Sequence, residues 1–267
     1  YTLRTLFPYT TLFRSYAFIN NEKLKNYYWN LECSGYKKAD KVVVVGSKLL
    51  RFVEKFTNKR CYLIYNGINS DKFVNTGIER ENSFNILFTA VFKPHKGLMD
   101  SIIATEKLLN RGYNVKLYIA GSGVEEDRAL NYIKDKNLNL SIILLGRIDK
   151  SKMKDFYSKG DVVLCPSKTI IEKDGEEPFG YTALEAMSSG VPVIAYKSGG
   201  LCEQIIDGQT GFLVTQGDIE KMIEYIIKLI DDKKLLKNMK LNAREHVIKN
   251  FSNMKMANEF FDIYAKE

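Results

Sequence analysis

The sequence predicts an α/β protein built on a doubly wound parallel sheet. The first observation behind this is a recurrence of short β-branched apolar runs: VVVV (42–45), CYLIY (61–65), NILFTA (85–90), VKLYIAG (115–121), SIILLG (141–146), DVVLCPS (161–167), PVIAY (192–196) and GFLV (211–214). Each run is continuous rather than alternating, as in strands buried on both faces. The second is that amphipathic stretches separate them, and repeated strand–helix–strand units stack as a parallel sheet with helices on both sides. The third is composition: 267 residues, 45% hydrophobic and 27% charged, suit one complete soluble domain and part of another.

At the start, TLFPYTTLFRS (5–15) neither alternates as a half-buried strand nor carries a helical stripe. Pro8, Arg4 and Arg14 interrupt any apolar core, so it fits neither a secretory leader nor a membrane span. It resembles, letter for letter, the translation of a common short-read sequencing adapter. Residues 1–15 are therefore expected to be an artefact that packs against nothing specific, with the genuine chain starting near Tyr16.

Residues 16–72 follow as one long helix (about 21–38) and a single strand–helix–strand unit. A parallel pair alone leaves a sheet edge unpaired beside Val42–Val45. This region reads as the remnant of an N-terminal domain, and YNGINSDKF (65–73), with Asn-Gly and Asn-Ser-Asp turns, as a linker. Residues 73–250 form the main domain, whose six strands between 85 and 214 make a complete Rossmann-like sheet. Leu98, Ile102, Thr105 and Leu109 mark one crossover helix, ended by Gly112, and Ala129, Leu130 and Ile133 another. The tail holds three helical patterns, 218–231, 233–249 and 253–266, the first striped by Ile223, Ile226, Ile227 and Ile230. The last, within 251–267, is expected to pack back toward the N-terminal domain.

The net charge of +8 is localised. Residues 16–72 carry eleven Lys/Arg against five Asp/Glu, whereas residues 73–267 carry 27 of each. A basic face attracts anionic lipid headgroups, nucleic acid or a phosphorylated substrate; a solvated lysine-rich surface is the plainer reading. Four scattered cysteines (Cys33, Cys61, Cys165, Cys202) have no metal or redox spacing and fit a reducing, cytoplasmic setting. With two histidines, His95 and His246, a histidine-rich metal site is excluded.

The sharpest constellation is EEPFGYTALEAMSSGVPVIAYKSGG (176–200). Pro178-Phe179-Gly180 favours a turn, a short helix begins near Tyr181, Gly190 ends it and Pro192 opens the next strand. Glu177 then sits in the loop at the helix mouth and Glu185 about one turn inside. Free N–H groups at a helix N-terminus favour phosphate, and a nearby carboxylate accepts hydrogen bonds from sugar hydroxyls. One site would hold diphosphate, pyranose and ribose together.

This segment resembles the E-x7-E signature of family 4 (group 1) retaining glycosyltransferases of the GT-B fold. The likeness extends through DVVLCPS, KSGGLCEQIIDGQTGFLV, YNGINSDKF and NFSNMKMANEFFDIY, covering essentially all of Tyr16–Glu267. It implies a GT-B architecture: one complete Rossmann-like donor domain plus the remnant of a second Rossmann-like domain. It implies transfer of a sugar from a nucleotide diphosphate sugar to a glycan or lipid-linked acceptor with retention of configuration. No cofactor or metal is implied, nor any nucleic acid partner; peripheral contact with an anionic membrane is compatible. The resemblance assigns donor-sugar contacts to Glu177 and the backbone at Phe179 and Gly180, the ribose hydroxyls to Glu185, and the diphosphate to Lys96. The base would lie near Gly146 and Arg147.

The family usually carries Gly-Arg where this chain has Ala90-Val91. Lys93 or His95 would replace that arginine only in part, since lysine lacks its bidentate fork. The family's acceptor loop and N-terminal histidine would precede Tyr16, so the chain is expected to bind donor weakly and to transfer no sugar by itself. IAGSGVEE (119–126) resembles a dinucleotide fingerprint without its third glycine. It is better read as a second N–H-rich loop at the cleft, with Gly121 near the donor. A non-catalytic nucleotide-binding relic and a GT-B-type epimerase stay open as alternatives.

Overall fold

The computed structural model describes residues 5–6, 23, 30, 33–55, 57–74, 83–169 and 179–265. Its larger lobe holds six strands: β4 (Phe84–Val91), β5 (Val115–Ser122), β6 (Ile142–Gly146), β7 (Val162–Cys165), β8 (Val193–Tyr196) and β9 (Gly211–Val214). All pair in parallel, in the order β6-β5-β4-β7-β8-β9. The α/β doubly wound sheet read from the apolar runs is therefore present, with every run in its place.

Successive residues of a strand face opposite sides of the sheet, and both faces here are covered. Ile86, Phe88, Leu164 and Ile194 pack with helices α2 (Leu98–Asn110), α3 (Glu126–Asp135) and α7 (Ile219–Asp231). Their neighbours Leu87, Val163, Val193 and Ala195 pack with α4 (Met153–Ser158), α5 (Tyr181–Ser188) and α8 (Lys233–Asn250). Two-sided burial explains why the strands read as unbroken apolar runs. The expected stripe on α3 is narrower than its sequence suggests: Ala129 and Ile133 are buried, but Leu130 points outward and is 46% exposed.

The smaller lobe is a three-stranded parallel sheet, β1 (Thr5–Leu6), β2 (Lys41–Val44) and β3 (Cys61–Leu63), with α1 (Ser47–Val53) between the last two. Residues 33–38 are helical and supply Tyr36 to a core shared with Ala39, Val42, Val44 and Val53. Two expectations need correcting. Thr5 and Leu6 pair with Lys41 and Val42, so residues 1–15 are not wholly without a specific contact. For the same reason β2 is the central strand rather than a bare edge. An open parallel edge is a template for any extended β-branched segment, which Thr5–Leu6 supplies. The other residues of 1–15 lie outside the described ones.

The chain crosses between lobes twice. The linker carries Ile68, whose N–H donates to the Phe251 carbonyl (2.8 Å) and whose carbonyl accepts from Asn253 N–H (3.1 Å). A Cβ on Gly67 would stand 2.7 Å from the Asn253 Cα, so only glycine permits this crossing. Helix α9 (Asn253–Ala265) then lies on the small sheet: Ile263 packs with Val43 and Ile64, and Lys41 Nζ donates to the Ile263 carbonyl. Among the described residues no helix is long and apolar enough to cross a membrane.

Candidate functional site

In a doubly wound sheet the strand order reverses once, and the loops leaving the strands on either side diverge there. Here the reversal lies between β4 and β7, the first and fourth strands of the large lobe. A cavity of about 360 Å³ opens at their C-terminal ends. Its walls are Thr89–Val91 from β4, Lys93, His95 and Lys96 from the following turn, Cys165 at the end of β7 and Ser167 just beyond it, and Gly180–Thr182 at the mouth of α5.

Two glycines build this geometry. Pro94–Lys96 is a single 3-10 turn closed by Gly97 in the left-handed region (φ 74°). A Cβ there would approach the Pro166 carbonyl oxygen to 2.3 Å, so glycine lets the lysine-bearing turn abut the loop after β7. Gly180 (φ 78°, ψ 50°) likewise swings the chain into α5. The helix thus presents its first turn to the cavity.

Glu185 lies one turn further along, about 6 Å down the helix axis, and faces a neighbouring concavity of about 670 Å³. Lys72 and Phe73 of the linker and Lys150, Ser151 and Lys154 line it too. Helix α5 is the shared wall of both spaces. The Tyr157 hydroxyl donates to Glu185 Oε2 at 2.8 Å. Burial pushes the Glu185 carboxyl above its ordinary range, against the opposing pull of Tyr157 and Lys150. Tyr157 is fully buried and driven far upward by burial and by that carboxylate, so it stays a proton donor.

The site residues named from sequence therefore fall into groups. Lys93, Lys96 and Gly180 meet around the first cavity, with Phe179 buried behind it. Glu185 opens on the second. Arg147 lines a third, shallower space with Ile148, Asp149 and Lys152, just after Gly146 (φ 66°) ends β6. Glu177 lies outside the described residues. Gly121 serves a packing need: a Cβ would fall 1.9 Å from the Ala90 carbonyl oxygen, and one on Gly123 2.7 Å from that of Phe92. The Gly-x-Gly pair lets the ends of β4 and β5 touch. Val91, at the position where an arginine was looked for, is 59% exposed on the rim.

Sequence reasoning missed a clamp around Lys168 and Thr169, just after β7. Lys168 Nζ contacts Asp100 Oδ2 at 2.8 Å, and the Tyr196 hydroxyl donates to the same oxygen at 2.8 Å. Lys168 N–H donates to the His95 carbonyl (2.7 Å), and Thr169 N–H to Gln216 Oε1 (3.0 Å). These bonds join the loops after β4, β7 and β9. The partners are 68 to 96 residues apart in pairs such as Lys168–Asp100 and Tyr196–Asp100, so no local pattern announces them. Among the described residues no group of three or more His, Cys, Asp or Glu side chains is placed to hold a metal ion.

Residues 69–246 match the family described as glycosyl transferases group 1. An uncharacterised glycosyltransferase of Methanocaldococcus jannaschii is 31% identical over 235 residues, 88% of this chain and 62% of that protein. N-acetyl-alpha-D-glucosaminyl L-malate synthase of Bacillus anthracis is 27% identical over 245 residues, with the same coverages. Among solved structures, Anabaena HepE in complex with UDP and glucose superposes with a TM-score of 0.77 at 19% identity, over 98% of this chain and 71% of that one. The chain thus spans about three fifths of the length of these curated relatives. With two thirds of its residues inside the family match and the GT-B-type sheet around them, the chain belongs to the glycosyl transferases group 1 family.

Proposed function

We propose that this chain binds a nucleoside diphosphate sugar in the α5 cavities and serves its transfer, with retention of configuration, to a glycan or lipid-linked acceptor. The observation that carries the reading is the shared wall. The first turn of α5 opens on a space flanked by Lys93 and Lys96, and Glu185 opens on the next space. A diphosphate in the first space meets helix N–H groups and two lysines. A ribose in the second meets a carboxylate already oriented by Tyr157. The solved structures of Anabaena HepE are in complex with UDP and glucose and with UDP-glucose.

Chemically, the site's main contribution is to the charge that gathers on the departing nucleoside diphosphate. Fixed donors aimed at a developing anion do more than mobile water can, because they need no reorganisation. Lys96 and the N–H groups at Tyr181–Thr182 fill that role, and the Gly180 N–H is left to the donor sugar. Glu177 is assigned to the donor sugar. A second reading, donor binding without transfer, is favoured by Val91, which offers the rim no charge. The basic residues of the small lobe, Lys37, Lys38, Lys48, Arg51 and Lys55 among them, suit an anionic membrane that presents a lipid-linked acceptor.

Calorimetry with UDP and GDP, followed by transfer from radiolabelled UDP- and GDP-sugars to a lipid extract, tests the proposal. Weak nucleotide binding is expected, and labelled lipid would overturn the expectation that this chain transfers no sugar by itself. Binding without label leaves the second reading, and absence of binding by every nucleotide overturns both. Sedimentation with anionic vesicles at 0.1 M and 1 M salt, where the Debye length falls from about 10 Å to 3 Å, tests the membrane contact. Salt-insensitive or absent sedimentation refutes it.

A further inference from the structure

We propose that Gln204 is a positioning residue for the donor-sugar end of the first cavity, acting through the Phe179–Gly180 peptide. Gln204 closes the four-residue helix α6 (Leu201–Gln204) and is fully buried. Its Nε2 donates to the Phe179 carbonyl. The carbonyl and N–H of a trans peptide point in opposite directions. Holding the Phe179 carbonyl on the core side therefore fixes the direction of the Gly180 N–H, at the residue that lines the cavity. Contact is close: a Cβ on Gly180 would stand 3.1 Å from Gln204 Oε1.

That same Oε1 is buried without a hydrogen-bond partner. An unmet acceptor in the core carries a desolvation cost that an apolar side chain of this size would avoid. The amide is therefore a poor choice for packing and a good one for gripping a peptide. Its backbone is braced as well. His246 Nε2 donates to the Gln204 carbonyl at 3.0 Å. On the neighbouring residue, Glu203 accepts from Ser47 N–H (3.0 Å) at the start of α1, from Ser47 Oγ (2.9 Å) and from the Tyr65 hydroxyl (2.8 Å). Helix α6 is thus pinned to α8, to the small lobe and to the donor-site peptide. The inference rests on the cavity being the donor site proposed above.

The test uses the full 267-residue chain and the variants Gln204→Met and Gln204→Leu, which keep side-chain bulk and remove the donor. Affinities are measured for UDP and GDP and for UDP-glucose, UDP-N-acetylglucosamine and GDP-mannose. In the variants the free nucleotide should bind within about twofold of wild type. The sugar nucleotide that wild type prefers should bind roughly three- to tenfold more weakly, the loss of one hydrogen bond's worth of alignment. Amide hydrogen exchange should quicken over 179–184 and stay unchanged over α8. Should neither buried variant fold, Glu203→Ala, which removes the brace and leaves the amide, should show the same selective loss at about twofold. Equal losses for nucleotide and sugar nucleotide, or unchanged exchange at 179–184, overturn the inference alone. Wild-type failure to bind any of the five probes overturns the donor-site reading and this inference with it.

Discussion

The two lobes solve the problem of burying a parallel sheet in different ways. The large lobe covers both faces of six strands with its own helices, so Leu87, Leu117, Val163 and Ile194 are all fully buried. The small lobe has three short strands and one modest core around Val42, Val44 and Val53. Its other face is closed by α9, a helix contributed from the far end of the chain. A parallel sheet open on one face is not a stable unit. The small lobe therefore takes part of its stability from the large one, while the loops around the first cavity stand on the sheet that needs no help.

The largest effect should come from the large sheet. Ile194→Ala empties a site on β8 between two neighbouring strands and should cost about 2–5 kcal/mol of global stability. Val53→Ala in the small core should cost roughly 1–2 kcal/mol, read as early local loosening. Urea unfolding followed by far-UV circular dichroism and by hydrogen exchange separates the two. Comparable, global losses from both would mean that the lobes form one cooperative unit. Next in size is Lys96→Ala, which removes a charged donor from the first cavity. It should weaken nucleoside diphosphate binding about 10- to 100-fold and leave thermal stability nearly unchanged. Affinity within twofold of wild type would remove Lys96 from the site.

The border between lobes comes third. Ile263→Ala at the α9 contact should cost about 2 kcal/mol locally. Exchange should then quicken over 41–64 and stay slow over 84–91 and 193–196. Uniform acceleration everywhere would contradict the borrowed-face view.

How much of this was readable in the sequence follows the same division. The large lobe was legible because two-sided burial forces continuous β-branched runs, and because Gly112, Gly190 and Pro192 punctuate their helices and strands. Helix α5 was legible from its flanking Pro-Phe-Gly and Ser-Gly. What escaped depends on long-range meetings. Asp100 on α2, Tyr196 at the end of β8 and Lys168 in the loop after β7 converge from separate elements. Gln204 ends a four-residue helix, Leu-Cys-Glu-Gln, and looks like any surface amide until the Phe179 carbonyl is placed against it. The close approach of Gly121 and Gly123 to the carbonyls of Ala90 and Phe92 is likewise set by the meeting of β4 and β5. Glu185 was placed correctly along α5, but sequence spacing alone could not say that it opens on a different space from Lys96.

Glu185 offers a smaller and sharper contrast, because stability and function should move in opposite directions. Its folded carboxyl is held above the unfolded value. That sign means the folded state gains below the unfolded value of about 4.5 and loses as pH rises through the raised one. Glu185→Gln keeps an acceptor for the Tyr157 hydroxyl and removes the buried charge. At pH 7 it should raise stability by about 1 kcal/mol, a few degrees in melting temperature. At pH 4 the gain should vanish. Affinity for UDP or GDP should fall about threefold as the ribose contact weakens. A melting temperature lowered at pH 7 would show that the charge is instead compensated.

The smallest effect tests the joint behind Gln204. His246 is neutral in the fold: Nε2 donates to the Gln204 carbonyl, so Nδ1 is left to accept from Asn250 Nδ2 at 3.0 Å. Protonation would set an N–H against that amide donor. Burial lowers the imidazole below its ordinary value of 6.5; the Gln204 carbonyl acts against this, and Lys255 adds to it. A depressed folded value means that the stabilising share of His246 is complete above about pH 6.5. As pH falls further the unfolded chain takes up the proton first, and stability declines until the folded imidazole also titrates. The loss should stay below about 1 kcal/mol for a half-buried ring. Urea midpoints at pH 7.5 and 5.5 should fall more for wild type than for His246→Gln, which keeps a donor for the Gln204 carbonyl and cannot titrate. Identical shifts in the two proteins would mean that His246 carries no pH-dependent share of the fold, and that the brace behind α6 is set by packing on Phe251 alone.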